Sequence, residues 1–78
     1  ELANQRRVPE AERRFRDILQ ANPDDPEAIM GLATMAGMQG RYAEMRQLRA
    51  RAIALVPDRE AEFMAYTERL DAAANLPR

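Results

Sequence analysis

The sequence predicts an all-α protein built from antiparallel helix pairs. Apolar residues recur with helical spacing along the chain, and short turns containing Pro or Gly separate the periodic stretches. The chain also resembles itself at an offset of 34 residues. No stretch alternates apolar and polar residues for long enough to indicate a strand.

The first full helix is expected over residues 9–21, and residues 1–6 resemble the last turn of a preceding helix. The apolar stripe of 9–21 follows helical spacing: Ala11, Phe15, Ile18 and Leu19. Because the chain begins inside a periodic stretch, we expect it to be a fragment of a longer repeat array.

The second helix is expected over residues 26–38. Asp25 suits the N-cap, Pro26 the first helical position, and Glu27 the positive end of the helix dipole. Its apolar positions again share one face: Ile29, Leu32, Ala33 and Ala36. This face, including Leu32, is expected in the core.

Two more helices are expected over residues 42–55 and 59–74. Gly40 suits the left-handed conformation of the turn before the first of them. The break at Val56–Asp58 precedes the second, with Asp58 as the expected cap. Loops this short predict antiparallel neighbouring helices.

The internal repeat supports the same division of the chain. At the offset of 34, six residues are identical to their counterparts, and several of them fall on matching helix breaks: Gln5 with Gln39, Arg7 with Arg41, Glu10 with Glu44, Pro23 with Pro57, Asp24 with Asp58, and Met30 with Met64. A helix–turn–helix period of this length is typical of one class of repeat protein.

These features resemble the tetratricopeptide repeat, whose pattern combines Trp, Leu and Gly with a later Ala, Phe and Pro. Residues 1–25 resemble a partial repeat, the end of a first helix followed by a second. Residues 26–59 resemble one complete repeat, and 60–78 a capping helix and tail. The resemblance implies a short right-handed α-solenoid, and about two repeats leave an upstream face open, with Val8 and Phe15 exposed.

Three positions depart from the family pattern. Ala36 replaces an aromatic residue and Met45 replaces a small one, which suggests a volume exchange within one helix pair. Arg49 replaces the aromatic Phe. Either its stem lies along the packed surface with the charge in water, or Leu48 takes its core position.

The resemblance implies a binding groove lined by the first helix of each repeat. The residues matched to it are Glu27, Met30, Gly31, Thr34, Met38, Met64, Ala65 and Glu68. Met suits adaptable apolar contacts, and the small residues would let a ligand approach closely. The alternative is that the Met side chains pack against neighbouring helices. A family subclass grips carboxylates with Lys, Asn and Arg, but the matching positions here are Met30, Thr34 and Gly31.

The charge pattern leaves two interpretations open. All twelve basic residues are Arg, and four lie between residues 41 and 51 as a basic stripe, while residues 58–71 are mainly acidic. The stripe either meets an acidic partner or forms a solvated face with intrahelical pairs such as Glu10–Arg14 and Glu12–Arg16. No aromatic residue alternates with these Arg residues, so we expect no nucleic-acid binding.

The composition argues against several other functions. The chain has no Cys and no His, so thiol and imidazole catalysis and the usual zinc ligands are excluded. We expect no enzyme activity, no cofactor, no metal and no membrane insertion. The Arg and Ala usage suggests a GC-rich bacterial genome.

The expected function is therefore a protein-interaction module or scaffold that holds a peptide or a partner subunit. One alternative is a homo-oligomerisation element that uses the open repeat face. Another is a non-catalytic regulatory appendage of a larger bacterial enzyme.

Overall fold

In the computed structural model, which describes the backbone of residues 2–75 and the side chains of residues 9–75, the chain forms five α-helices and a 3-10 turn. The elements in chain order are α1 (Leu2–Ala21), α2 (Pro26–Met38), α3 (Tyr42–Leu55), the 3-10 turn (Pro57–Arg59), α4 (Glu60–Tyr66) and α5 (Glu68–Ala74). These residues contain no strand, which confirms the all-α class.

The turns around α2 have the predicted local chemistry. The Asp25 carboxylate accepts hydrogen bonds from the backbone N–H groups of Glu27 and Ala28 at 3.0 and 3.2 Å, and Pro26 is the first helical residue. Gly40 has a φ of 80°, the left-handed conformation that favours Gly in the turn before α3. Both ends of α2 therefore agree with the sequence prediction.

The N-terminal helix differs from the prediction. The sequence analysis expects the end of one helix and then a second helix from residue 9, but α1 is continuous from Leu2 to Ala21 with Pro9 inside it. Proline lacks the N–H that would bond four residues back, and a long helix tolerates the loss of one such bond with a bend. In place of two helices, residues 2–21 thus form one long helix.

The C-terminal helix is divided at Thr67. The N–H of Thr67 bonds the carbonyl of Met64, three residues back, in place of a regular α-helical bond. The prediction of one helix over 59–74 is therefore wrong. Asp58 is not the cap of this region either, because it lies inside the 3-10 turn that precedes α4.

The core is small and centres on the packing of α2 against α3. It comprises the fully buried residues Ile29, Met30, Ala33, Ala36, Met45, Ala52 and Phe63. Ala36 and Met45 are both in this cluster, with a small residue on α2 and a large one on α3. Leu32 is only half-buried and lies outside the cluster, so its predicted core position is corrected.

The end of α2 depends on a close approach at Gly37. A Cβ atom placed there would come within 2.5 Å of the Met45 sulfur and within 2.8 Å of Cδ1 of Leu70. Gly37 therefore lets α3 and α5 pack directly onto the backbone of α2.

Arg49 is held by the division of the C-terminal helix. Its Nη1 donates to the Thr67 hydroxyl at 2.8 Å and to Oδ2 of Asp71 at 2.6 Å. Leu48, next to it, packs against the core. The Arg49 guanidinium is thus the hydrogen-bond partner of a fully buried hydroxyl.

None of the described helices is long and apolar enough to cross a membrane.

Candidate functional site

A cleft opens above α2, between α1 on one side and α4 on the other. Its volume is about 430 Å³, and most of its lining is apolar. The lining residues are Phe15, Glu27, Met30, Gly31, Thr34 and Tyr66. Four of the eight residues predicted for the groove therefore meet at one place.

The wall of the cleft on the α1 side depends on Gly31. A Cβ atom at Gly31 would lie 2.5 Å from Cζ of Phe15, a distance that real side chains do not reach. The absence of a side chain therefore admits the Phe15 ring, which packs directly onto α2. The prediction that Gly31 lets a ligand approach closely is therefore corrected, because an aromatic ring of the same chain occupies this space.

The floor of the cleft is formed by Met30 and Thr34. Met30 is 1% exposed and belongs to the core, so it presents little more than an edge to the cleft. The alternative interpretation, in which this Met packs against neighbouring helices, therefore describes it better than a free groove contact. The Thr34 hydroxyl donates to the Met30 carbonyl oxygen at 2.9 Å, which leaves its lone pairs directed away from the helix.

The opposite wall is formed by Glu27 and Tyr66, which are held from behind by an ionic network centred on Arg59. The guanidinium of Arg59 donates to Oε1 of Glu27 on α2 and to both carboxylate oxygens of Glu62 on α4. It also lies 4.7 Å from the centre of the Phe63 ring, within the range of a cation–π interaction. The Tyr66 hydroxyl donates to Oε2 of Glu62 at 2.7 Å. One Arg thus joins α2 to α4 and fixes the position of Tyr66.

The same contacts shift the ionisation of the wall. Hydrogen bonds from Arg59 and then from Tyr66 lower the pKa of Glu62 from 4.5 to about 2. The hydrogen bond to Glu62 raises the pKa of Tyr66, and the bonds to Glu62 and Glu27 raise that of Arg59. The lowered pKa of Glu62 keeps its carboxylate ionised at neutral pH, and the raised pKa of Tyr66 keeps its phenol neutral.

The remaining predicted groove residues lie elsewhere. Met64, Ala65 and Glu68 line a second depression beside Asp71, on α4 and α5. Met38 is 58% exposed at the end of α2 and lines neither place. The structure thus divides the predicted groove into a cleft and a separate depression.

A second polar cluster ties α1 to the turn between α2 and α3. The Glu12 carboxylate, on a buried residue of α1, accepts from Gln39 at 2.5 Å and from Arg16 at 2.8 Å, and Arg41 lies 3.5 Å away. The predicted Glu12–Arg16 pair is present. Glu10 and Arg14 line a depression on α1 but form no ion pair with each other.

The Arg residues of the predicted basic stripe are engaged within the chain. Arg46 and Arg49 approach Asp71, while Arg41 pairs with Glu44. Arg51 donates to the carbonyl oxygen of Pro23 at 2.9 Å. These contacts favour the interpretation in which the stripe consists of solvated side chains with partners inside the fold.

Two residues of the cleft were not in the predicted groove. Phe15 was assigned to the apolar stripe of its own helix, and Tyr66 was not among the residues matched to the groove. Tyr66 is in fact 47% exposed, and only its spacing of four residues from Glu62 hinted at the hydrogen bond between them. The predicted exposure of Val8 falls outside the side chains that the structure describes.

Comparisons of the chain with models of known protein families, with curated proteins and with solved structures find no match. Within residues 9–75, no group of three or more acidic side chains is placed to hold a metal ion. The geometry of the cleft therefore carries the functional argument.

Proposed function

We propose that this chain is a protein-interaction module that binds a peptide or a partner subunit in the cleft above α2. The main support for this proposal is the cleft itself, in which an apolar floor lies between two aromatic side chains, Phe15 and Tyr66. Concave sites of this kind, largely apolar with a few placed polar groups, are where ligands usually bind.

The proposal includes the tetratricopeptide-like arrangement. The 34-residue period, the breaks that recur at the same places in each period, and the close packing of α2 with α3 support a short right-handed α-solenoid. In such an arrangement the surface of α2 that carries Thr34 would belong to a concave face.

The proposal includes no catalytic activity. The ionised groups beside the cleft are satisfied by one another, since Arg59 holds both Glu27 and Glu62. The Tyr66 hydroxyl is likewise committed to Glu62, and the bond raises its pKa. Groups held in this way suit recognition better than proton transfer, which needs a group poised to exchange its proton near neutral pH.

The test is a peptide selection followed by mapping on the isotopically labelled chain. Peptides selected from a displayed library on the intact chain should shift the amide signals of Gly31, Thr34 and Tyr66 in nuclear magnetic resonance spectra. Thr34→Arg should abolish these shifts, because Thr34 is half-buried on the floor and a long side chain there fills the cleft.

The matched control is Gln47→Arg, which places the same side chain on the exposed surface of α3. It should leave the peptide affinity unchanged. Selected peptides that bind both variants as well as the parent chain would show that the cleft is not the binding site.

The first alternative is a homo-oligomerisation element. Several large apolar side chains are exposed outside the cleft, on four of the helices: Ile18, Met38, Leu55 and Met64. Light scattering coupled to size exclusion, over about a hundredfold range of concentration, separates the two functions. A constant monomer mass favours a cleft that is free for another molecule, and a mass that rises with concentration favours self-association.

The second alternative, a non-catalytic appendage of a larger bacterial enzyme, uses the same cleft within a longer chain. Fusion of this chain to a candidate catalytic domain should then change the substrate range or regulation of that domain, and Thr34→Arg should reverse the change.

A further inference from the structure

The polar atoms that line the cleft are hydrogen-bond acceptors. The hydroxyl of Thr34 gives its proton to the Met30 carbonyl, and the hydroxyl of Tyr66 gives its proton to Glu62. Both oxygens keep lone pairs for a ligand. Phe15, Met30 and Gly31 add no side-chain donor, and the backbone N–H groups of the α2 interior bond within the helix.

The charged side chains beside the cleft, taken together, carry a net negative charge. Two carboxylates, those of Glu27 and Glu62, share the single guanidinium of Arg59. The hydrogen bond that Arg59 gives to Glu27 engages Oε1, and the side chain of Glu27 remains 60% exposed beside the cleft. No residue in the described part of the chain bonds the second carboxylate oxygen of Glu27, so this oxygen can accept a hydrogen bond from a ligand.

We propose that the cleft takes a basic peptide segment, in which an apolar side chain lies against Phe15 and a neighbouring Lys or Arg pairs with Glu27. This inference deepens the proposed function and rests on it. A ligand that brings donors and positive charge finds acceptors in the cleft, whereas an acidic segment places its carboxylates near that of Glu27. The apolar floor is the reason that the proposed segment also contains an apolar side chain, because a charged side chain alone would leave the floor uncovered.

The test uses four short peptides on a Gly-Ser background, acetylated and amidated so that no terminal charge contributes. Their central positions alternate Leu with Lys, Leu with Gln, Leu with Glu, or Ser with Lys. Each is titrated into the labelled 78-residue chain, and dissociation constants are taken from the amide shifts of Gly31, Thr34 and Tyr66.

The Leu-Lys peptide should bind roughly two- to fivefold more tightly than the Leu-Gln peptide at low salt, the range expected for an exposed ion pair. The Leu-Glu peptide should bind most weakly of the three peptides that contain Leu. Raising the salt to about 1 M should remove the difference, because screening is then nearly complete at contact distances. The Ser-Lys peptide should lose binding, since it leaves the floor uncovered.

Glu27→Gln keeps the shape of the side chain and removes its charge, so it should abolish the preference for Leu-Lys over Leu-Gln. Glu44→Gln is the matched control, an exposed acidic residue of α3 with an Arg partner, Arg41, outside the cleft. It should keep the full preference.

The outcomes separate this inference from the proposed function. Equal affinities for the Leu-Lys and Leu-Glu peptides, both mapped to the cleft, would overturn the basic preference and leave peptide binding intact. No shift at the cleft with any peptide would overturn both. Shifts at these amides that grow with protein concentration alone would assign the cleft to a second copy of the chain and overturn the basic-peptide proposal.

Discussion

Replacement of Arg49 by Met would remove the charge that links α3 to the division between α4 and α5, while a long apolar stem remains. The Arg49 side chain is 12% exposed, and one nitrogen, Nη1, serves both Thr67 at 2.8 Å and Asp71 at 2.6 Å. The variant would leave the fully buried Thr67 hydroxyl without its donor and would leave Asp71 with Arg46, 3.8 Å away.

The magnitude follows from these two bonds. Hydrogen bonds to charged groups contribute about 1.5–3 kcal/mol when they are shielded from water. Asp71 is 26% exposed, so the Arg49–Asp71 pair should contribute to the free energy of unfolding about as much as a surface ion pair, below about 1 kcal/mol. Because the Met stem recovers part of the packing, we expect the free energy of unfolding to fall by about 2 kcal/mol. The free energy of unfolding of a chain of this size is roughly 4–12 kcal/mol, so the variant should still fold.

The assay is urea unfolding followed by helical circular dichroism, with Arg46→Met as the control. Arg46 is 48% exposed and reaches the same carboxylate only at 3.8 Å, so its loss should cost under about 0.5 kcal/mol. A double-mutant cycle of Arg49→Met with Thr67→Val should give a coupling of about 1 kcal/mol. Equal losses for the two Arg variants, or a coupling near zero, would refute the assigned role of Arg49.

Three further predictions follow from burial, packing and ionisation. Met30→Ala should lower the free energy of unfolding by about 2–5 kcal/mol and Leu32→Ala by clearly less, because only Met30 is buried; urea unfolding of both variants decides the order. Gly37→Ala should lower the melting temperature, since overpacking against the neighbouring side chains costs about 1–3 kcal/mol and better helix propensity returns about 1 kcal/mol; an unchanged or higher melting temperature would contradict the close approach. Because the pKa of Glu62 is lowered, its contribution to the free energy of unfolding is fully present above its unfolded pKa of 4.5 and is lost as the pH falls toward about 2. Glu62→Gln should therefore flatten the fall in stability across that interval, as measured by unfolding at a series of pH values.

Local signals in the sequence predicted the boundaries of α2 and the turn after it. Asp25, Pro26 and Gly40 act on atoms a few residues away, so their effect can be read from neighbours in the chain. Pro9 is also a local signal, but it is compatible with two outcomes, the first turn of a helix or a position inside one. The structure has the second.

Contacts between distant residues explain the rest. Arg49 meets partners 18 and 22 residues further along, and no periodicity distinguishes it from an Arg on a solvated face. The ring of Phe15 meets Gly31 across two helices, so the sequence indicated a small residue without indicating what fills its space. The Arg59 network likewise depends on Glu27, which is far from it in the chain. Most of the cleft wall was for this reason beyond sequence reasoning.

The place of Phe15 has a thermodynamic consequence. Within the described chain, α1 packs chiefly against α2, and the ring of Phe15 on α1 forms one wall of the cleft. Undocking of α1 is therefore a partial opening that removes the wall while the α2–α3 core stays folded. A ligand seated against Phe15 binds the docked state alone and must shift the equilibrium toward it. Hydrogen exchange of the α1 amides should thus slow as the cleft fills, which makes α1 a reporter of occupancy.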